Sequence, residues 1–314
     1  MAATQPSVDS VPLVRSMLFI PANRTSLAPK GLAAGADALI FDLEDAVAHD
    51  DKDRARDELS EFLAGGPLSS TPVFVRINAL DRATALADLR AIVGANLAGV
   101  LVPKIESTRD VVVVDQLLTW LEEEAGLRHG RTTMVPVLET AAGARFAYEI
   151  AAASRRTAYM GGLGTRGGDV ERSLGYRWSG KGDETFVMRS KVLMDLRAAG
   201  SPNPVSGMWA DIKDLAGLAA FADQNRSIGY EGMLCIHPSH VPVINKAFTP
   251  TPEDLERDRQ LVEMLTKSAE AGRGVTVFNG EMIDEAMAVT ARRRLDRYGF
   301  AVPASTGSGV KESR

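Results

Sequence analysis

The sequence is poor in cysteine and has no long apolar run. Cys235 is the only cysteine among the 314 residues, which excludes an intramolecular disulfide and is typical of a reducing compartment. No uncharged apolar stretch reaches the length of a membrane span, and the first fifteen residues lack the apolar core of a signal peptide. We therefore expect a cytoplasmic protein with no membrane partner.

Basic charge is also scarce. The chain carries 36 Lys and Arg against 41 Asp and Glu, a net charge of −5, and shows no basic stripe, which argues against nucleic acid as a partner. A content of 45% hydrophobic and 25% charged residues is ordinary for a soluble globular protein. At this length the chain holds one large α/β domain with an appendage, or two ordinary domains.

Short apolar runs alternate with helical stretches along most of the chain. Each run is continuously apolar, as strands of a parallel sheet covered on both faces must be. The pattern predicts an α/β fold, a (β/α)8 TIM barrel over residues 16–249, with a doubly wound open sheet as the alternative. The eight runs begin at Ser16, Ala38, Val73, Gly99, Met134, Thr157, Val205 and Gly232.

The remaining chain predicts a small C-terminal helical lid over residues 250–302. It contains a long charged helix over residues 252–271, a glycine-bounded strand or turn over residues 272–280, and a final helix. We expect flexible ends at residues 1–15 and 303–314.

Two carboxylates follow neighbouring strands in the middle of the chain. Glu139 comes directly after the fifth run, a helical segment follows over residues 141–154, and a glycine-rich stretch after the sixth run ends at Asp169. Because neighbouring parallel strands end on the same side of a sheet, we expect these side chains to converge. Two carboxylates suit Mg²⁺. The alternative is that Glu139 begins a helix and Asp169 is a turn residue.

Polar residues follow the other predicted strands as well. A buried strand end that carries charge is unfavourable unless the charge is paired or used, so these ends together predict an active site at the barrel mouth. Each one alone is equally consistent with a salt bridge. The residues are Asn23, Arg24, Asp42, Glu44, Asp45, Arg76, Asn78, Lys104, Glu106, Asp211 and His237.

Several motifs occur in a fixed order along the chain. They are Arg15-Ser16-x-Leu18-Phe19-Ile20-Pro21, Phe41-Asp42-Leu43-Glu44-Asp45, Val75-Arg76-Ile77-Asn78, Val102-Pro103-Lys104, Glu139-Thr140 and Ile236-His237-Pro238-Ser239. This series resembles the citrate lyase β-subunit-like acyl-CoA lyases of the HpcH/HpaI aldolase group, such as malyl-CoA and citramalyl-CoA lyases. The resemblance runs from about Arg15 to the last helix. It is specific for the superfamily and much less so for the substrate.

The resemblance implies roles for individual residues. Glu139 and Asp169 would hold Mg²⁺, which polarises the carbonyl of a small 2-keto acid. Arg76 would be a catalytic residue beside the thioester, where a fixed guanidinium stabilises the enolate oxygen. The residues that we predict to bind the CoA thioester and keto acid are Phe19, Arg24, Lys30, Arg76, Gly168, Asp169, Ile236 and His237.

The appendage carries a further candidate. Gly280 and Asp284 fill the Gly-x-x-x-Asp pattern of the family. The resemblance implies that Asp284 is the catalytic acid and base, and that the appendage caps the active site of a neighbouring subunit. The protein would then be a homo-oligomer, a trimer or hexamer. Taken without the resemblance, Asp284 is a helix N-terminal residue.

We predict a Mg²⁺-dependent carbon–carbon lyase that cleaves or forms a 3-hydroxyacyl-CoA thioester through an enolate. The alternatives are a thioesterase or aldolase of the same superfamily, and a catalytically silent barrel. Gly162-x-Gly164-x-x-Gly167 also matches the fingerprint of a nicotinamide-dependent dehydrogenase, although no clear helix opens at once. Cys235 and His237 suggest a thiol nucleophile only weakly, since a core cysteine is commoner.

Three features depart from the family pattern. They are the loop over residues 165–168, where Arg166 is a possible anion contact, the aromatic and charged stretch over residues 176–184, and His240 in place of glutamine. We expect them near the end of the barrel that receives the keto acid. They therefore leave open whether the substrate is malyl-CoA or citramalyl-CoA.

Overall fold

A computed structural model describes residues 12–298 except 69, 81, 82, 95 and 163. The expected flexible segments at residues 1–11 and 303–314, and residues 299–302 of the expected lid, lie outside the described residues. The chain divides into two compact units, Met1–Phe248 and Thr249–Arg314. Among the described residues, no helix is long and apolar enough to cross a membrane.

Eight parallel strands form the sheet of the first unit, in the order β6-β5-β4-β3-β2-β1-β8-β7. The strands are β1 Ser16–Pro21, β2 Ala38–Asp42, β3 Val73–Arg76, β4 Gly99–Val102, β5 Thr133–Leu138, β6 Gly161–Gly162, β7 Val205–Ser206 and β8 Gly232–Cys235. The amide of Tyr159 donates to Pro202 O and that of Val205 donates to Met160 O, which closes the ring. The predicted TIM barrel is confirmed, and the open sheet is wrong.

Helices connect the strands. They are α1 Ala28–Ala33, α2 Lys52–Ala64, α3 Thr84–Ile92, α4 Thr108–Glu124, α5 Ala141–Arg145, α6 Ala147–Ala152, α7 Asp169–Leu174, α8 Phe186–Ala198, α9 Leu215–Ile228 and α10 Val241–Phe248. The helix expected over residues 141–154 is broken at Phe146, whose φ of −99° and ψ of 26° are not helical.

One helix corrects the sequence analysis. The short helix α7 begins at Asp169, two residues after Gly167, where the sequence showed no clear helix opening at once. The dehydrogenase alternative still lacks its fold, because a closed barrel has no switch in strand order at which a dinucleotide binds.

Two apolar layers explain why the strands are apolar throughout. Side chains inside the ring, such as Met17, Ile40 and Phe74, form one buried cluster, while Leu18 and Phe41 pack outward in a second cluster with the helices. Successive residues of a strand point to opposite faces, so burial of both faces requires apolar residues at consecutive positions.

The amino end of the barrel also includes part of the segment that we expected to be flexible. The hydroxyl of Tyr159 and the side-chain amide of Asn203 donate to Pro12 O at 2.9 and 3.0 Å. Val14 is fully buried in the inner cluster. Residues 12–15 therefore belong to the barrel, in contrast to our expectation for residues 1–15.

A buried ion pair lies at the same end. Arg156 donates from Nη1 and Nη2 to the two carboxylate oxygens of Glu122 at 2.7 and 2.8 Å. The backbone amides of Thr132 and Gly130 donate to the same carboxylate. Burial alone would raise the pKa of Glu122, but these four hydrogen bonds outweigh it and lower the pKa to about 2.

The second unit is built from α11 Pro252–Glu270, β9 Val275–Phe278, β10 Glu281–Asp284 and α12 Glu285–Arg297. It has its own core, in which Leu265, Phe278 and Ile283 are buried. The strands form an antiparallel hairpin, because Asn279 and Gly280 both adopt the positive φ that a two-residue turn needs. Sequence analysis missed β10, although Asn-Gly between apolar residues is a hairpin signal.

Candidate active site

Arg76 ends β3 and is fixed in place by its neighbours. It donates from Nε and Nη2 to both oxygens of Asp42, its strand partner, at 2.7 and 2.6 Å. Its guanidinium lies 5.0 Å from the centre of the Phe19 ring. Burial alone would lower the pKa of Arg76, but the hydrogen bonds and charge of Asp42 outweigh it and raise the pKa. The result is a planar cation held at the carboxyl end of the sheet.

Glu139 follows β5 and is 8% exposed. Its Oε1 accepts a hydrogen bond from the backbone amide of Lys104 at 2.9 Å. Burial, followed by the charge of Glu44, raises the pKa of Glu139 to about 7; Asp169 adds to the rise and Arg76 opposes it. The Glu139 carboxylate is therefore short of cationic partners.

Lys104 joins the two carboxylates that the sequence predicted to converge. Its backbone amide reaches Glu139, and its Nζ lies 3.6 Å from Asp169 Oδ2 and 2.8 Å from Glu44 Oε1. Lys104 adopts a φ of +54°, which is strained for a side chain other than glycine. Asp169 also pairs with Arg172, three residues later in α7. Glu44, Glu139 and Asp169 therefore surround one lysine at the barrel mouth.

The carboxylates at the barrel mouth are possible ligands of a metal ion. No group of three or more His, Cys, Asp or Glu side chains within the described ranges is arranged to hold one. Mg²⁺, however, needs only one or two carboxylates and takes its other ligands from water and substrate. Glu139 and Asp169 fit this requirement, since their mutual repulsion is relieved by a divalent cation.

A cleft of about 590 Å³ opens beside these residues, which is large enough for a small molecule. Its charged lining consists of two cations, Lys104 and Arg172, and three carboxylates, Glu106, Asp110 and Asp169. Sequence analysis missed Arg172, although its i+3 spacing from Asp169 on a helix was visible. The lining residues are Ala79, Leu80, Lys104, Glu106, Asp110, Thr140, Asp169, Arg172 and Ser173.

A buried network supports the loop that carries Glu44. Lys52 Nζ donates to Leu43 O and Glu44 O at 2.8 Å and to Asn78 Oδ1 at 2.5 Å. Asn78 in turn donates from its backbone and side-chain amides to Asp88. Asn78, one of the polar strand ends, therefore serves as a structural support.

The predicted CoA and substrate residues lie at several places. Arg24 and Lys30 are exposed, and within the described part of the chain neither forms an ion pair. Gly168 is the N-cap residue of α7. Ile236 and His237 follow β8 and are half-buried, and His237 Nδ1 accepts a hydrogen bond from the amide of Ser239.

Two of the departures from the family pattern turn out to be packing features. The ring centroid of Trp178 lies 5.7 Å from that of Trp209 and 6.2 Å from that of Phe221. His240 is completely buried. Cys235 is also buried, and burial raises the pKa of its thiol. A thiol nucleophile at this position is therefore excluded.

Asp284 lies in the second unit, at the end of β10. Its carboxylate accepts a hydrogen bond from the amide of Met287 at 3.2 Å and so caps α12, as expected for a helix N-terminal residue. Asp284 is exposed, and so are Val275, Val277 and Met282, which lie on the same face of the hairpin. The candidate acid and base thus stands beside an exposed apolar surface.

Comparison with known proteins gives consistent results. The model of the HpcH/HpaI aldolase/citrate lyase family matches residues 15–238. The citrate lyase subunit beta of Haemophilus influenzae is 31% identical over 285 residues, covering 91% of this chain and 97% of that protein. The (3S)-malyl-CoA thioesterase of Cereibacter sphaeroides is 32% identical over 283 residues, covering 90% and 93%.

A solved structure is similar in fold. The crystal structure of CitE from Mycobacterium tuberculosis, in complex with magnesium, acetoacetate and coenzyme A, matches with a TM-score of 0.73. The identity is 32%, over 93% of this chain and 99% of that chain.

Proposed function

The chain belongs to the HpcH/HpaI aldolase/citrate lyase family, and from this premise we propose that it is a Mg²⁺-dependent carbon–carbon lyase acting on a 3-hydroxyacyl-CoA thioester. Malyl-CoA and citramalyl-CoA are the proposed substrates, with a small 2-keto acid as one product. The observation that carries the proposal is the meeting of Glu139 and Asp169 at Lys104, beside a cleft that Lys104 and Arg172 line. The cytoplasmic location stays a prediction.

Glu139 and Asp169 would hold the magnesium ion, which when bound polarises the carbonyl oxygen of the keto acid. Lys104 and Arg172 would attract the carboxylate of the same substrate, because both cations line the cleft. The CitE structure that contains coenzyme A supports a CoA thioester as the second substrate. Phe19 and the exposed cations Arg24 and Lys30 are our candidates for binding its adenine and phosphates.

Arg76 would stabilise the enolate. When the bond between the second and third carbon atoms breaks, its electron pair moves onto the thioester oxygen, where negative charge develops. Asp42 accepts hydrogen bonds from Nε and Nη2 of Arg76, so we assign Nη1 to this oxygen. Nη1 also pairs with Glu44 Oε2 at 3.2 Å, so the thioester oxygen would share Nη1 with Glu44.

Asp284 would carry the proton. As a base it takes the proton of the 3-hydroxyl group while the carbon–carbon bond breaks and the keto acid forms, and as an acid it returns that proton to the enolate carbon to give the acyl-CoA. The exposed apolar face formed by Val275, Val277 and Met282 beside Asp284 supports docking of the lid on another subunit. We therefore propose a homo-oligomer, a trimer or hexamer.

The lyase is tested by incubating malyl-CoA and citramalyl-CoA with the protein and Mg²⁺, and measuring acetyl-CoA and keto acid. Asp169→Ala should lose the activity, whereas Glu149→Ala, which removes an exposed carboxylate of α6, should keep it. If the Asp169→Ala variant in excess chelator were as active as the wild-type protein with Mg²⁺, the metal site would be ruled out.

Subunit mixing tests the shared site. Inactive Asp284→Asn subunits mixed with inactive Glu139→Ala subunits should regain part of the activity, because some mixed sites combine an intact barrel with an intact lid. If subunit exchange is demonstrated and no activity returns, Asp284 does not serve a neighbouring barrel.

A thioesterase is the second candidate, because one relative is a (3S)-malyl-CoA thioesterase. The products separate the two reactions. Hydrolysis of the thioester releases free CoA and the hydroxy acid, whereas carbon–carbon cleavage keeps the thioester intact. A thiol reagent that detects free CoA would therefore show thioesterase activity in the same incubation.

A further inference from the structure

The strand that leads to Asp169 is very short. Strand β6 contains only Gly161 and Gly162 and pairs with β5. The amide of Gly162 donates to the hydroxyl of Tyr230 at 3.0 Å. That hydroxyl donates to Arg189 O in α8 at 2.9 Å. A side-chain hydroxyl thus replaces a strand as the partner of this backbone amide.

The glycines of this region are required by close packing. A Cβ atom on Gly161 would lie 1.7 Å from Val205 O, and one on Gly162 would lie 2.9 Å from the Tyr230 hydroxyl. A Cβ atom on Gly164 would lie 2.6 Å from Thr185 Oγ1. Contacts with neighbouring elements therefore explain two glycines of the stretch that resembled a dinucleotide fingerprint, Gly162 and Gly164, whereas Gly167 adopts a φ of +72° and has no atom within 4 Å of its Cβ position.

A second tyrosine holds the same loop further along the chain. The hydroxyl of Tyr176 donates to Thr165 O at 2.7 Å. Tyr176 belongs to the stretch over residues 176–184 that departs from the family pattern. Burial raises the pKa of Tyr176 to about 12 and also raises that of Tyr230, so both hydroxyls keep their protons at neutral pH.

Arg189 anchors the element behind the loop. It is completely buried and lies 4.6 Å from the centre of the Phe221 ring. It donates to Thr185 Oγ1, to Gln224 Oε1 and to Gly182 O. These contacts hold Thr185 against Gly164, and the backbone of Arg189 receives the Tyr230 hydroxyl.

We propose that Tyr230 and Tyr176 are positioning residues that clamp the backbone at Gly162 and Thr165 and thereby set the place of Asp169. The inference rests on the proposed function in that Asp169 is taken as a ligand of the metal. Partners that orient a metal ligand act without touching the metal, and their loss weakens metal binding. The departure from the family pattern at Tyr176 is thus a support for the metal loop.

The test uses three variants that each delete one buried hydroxyl. Tyr230→Phe and Tyr176→Phe remove the clamp, and Tyr159→Phe is the matched control, because its hydroxyl donates to Pro12 O at the other end of the barrel. Affinity for Mn²⁺, measured by electron paramagnetic resonance, should fall about 10-fold in the two clamp variants. It should stay at the wild-type value in Tyr159→Phe, whatever the loss of thermal stability.

Hydrogen exchange of the metal-free protein provides the second readout. Peptides spanning residues 161–169 should exchange faster in the clamp variants than in wild type or Tyr159→Phe. Wild-type exchange together with wild-type Mn²⁺ affinity in both clamp variants would overturn the proposal. Asp169→Ala separates the two ideas: if it binds Mn²⁺ normally, the proposed metal site fails, and the exchange measurement alone decides whether the tyrosines hold the loop.

Discussion

Glu122 and Glu139 are both buried glutamates near the ends of β5, but their neighbours differ. Glu122, at the amino end, accepts four hydrogen bonds, two of them from Arg156, and its pKa is lowered to about 2. Glu139, at the carboxyl end, accepts one from the Lys104 amide, and burial and nearby carboxylates raise its pKa to about 7. One end of the barrel satisfies its charges, and the other keeps carboxylates in excess.

The two ends of the barrel therefore use a buried glutamate in different ways. A satisfied buried ion pair holds the fold, and its disruption leaves an unpaired charge. A carboxylate held among like charges reduces stability in its ionised form, yet it favours a bound cation. The same chemical group therefore serves stability at the amino end and, on our proposal, metal binding at the mouth.

The largest expected effect comes from Glu139→Gln. This change should reduce lyase activity below detection, because one ligand of the proposed metal is lost. The folded-state pKa of Glu139 is raised, so its ionised form destabilises the protein above the usual pKa of a glutamate, and the thermal midpoint at pH 8 should stay the same or rise. Activity assays and thermal unfolding check the pair of outcomes. A large fall in the thermal midpoint of Glu139→Gln would show that Glu139, like Glu122, stabilises the fold.

Replacing an arginine by lysine at each end of the barrel shows which end affects kcat. Arg76→Lys should lower kcat about 10²- to 10³-fold, because a point ammonium cannot hold Asp42 with two donors and also serve the enolate. Arg156→Lys is the matched change at the amino end and should leave kcat unchanged in the folded protein. Steady-state kinetics of both variants provide the check. Wild-type turnover in Arg76→Lys would show that Arg76 is structural.

Glu122→Gln tests how much the ion pair at the amino end of the barrel contributes to the free energy of unfolding. It removes the charge that pairs with Arg156, and we expect a loss of about 3–5 kcal/mol in the free energy of unfolding. Denaturant titration measures the loss, and kcat of the folded protein should stay at the wild-type value. An unchanged free energy of unfolding would mean that the Arg156 network does not stabilise the barrel.

The smallest expected effect is in the acid range. Because the folded-state pKa of Glu122 is lowered to about 2, its contribution to stability is complete above the usual pKa of a glutamate near 4.5 and is lost as pH falls toward 2. The wild-type protein should therefore lose more stability between pH 5 and 3 than Glu122→Gln does. Parallel slopes of stability against pH would contradict this assignment.

Much of the fold was accessible from the sequence, for reasons that particular residues show. The run from Ala38 to Asp42 is buried at every position, so it is apolar throughout and recognisable as a parallel strand. The structure differs from the expected elements where a local backbone conformation interrupts the apolar pattern. Phe146 interrupts an expected helix, and the Asn279-Gly280 turn creates a hairpin where we expected one strand or turn.

The candidate site was accessible only in part. Glu139 and Asp169 were found because strand ends converge in a parallel barrel, and the structure brings both to Lys104. Their supports were missed: Arg172 follows Asp169 at a visible i+3 spacing, whereas Tyr230 reaches Gly162 from 68 residues away, a contact that no short motif carries. Asp284 was found through the family resemblance, and its role as acid and base stays a prediction.

The barrel and the residues at its strand ends could be identified from the sequence, because the apolar runs and the polar residues that follow them are neighbours along the chain. The meeting of polar groups from distant segments depends on the tertiary fold. Lys104 contacts Glu44 across 60 residues, and Gly162 contacts Tyr230 across 68. Such pairs form when packing brings distant segments within hydrogen-bond distance, and the same packing leaves the ionised Glu122 paired with Arg156 and Glu139 among like charges.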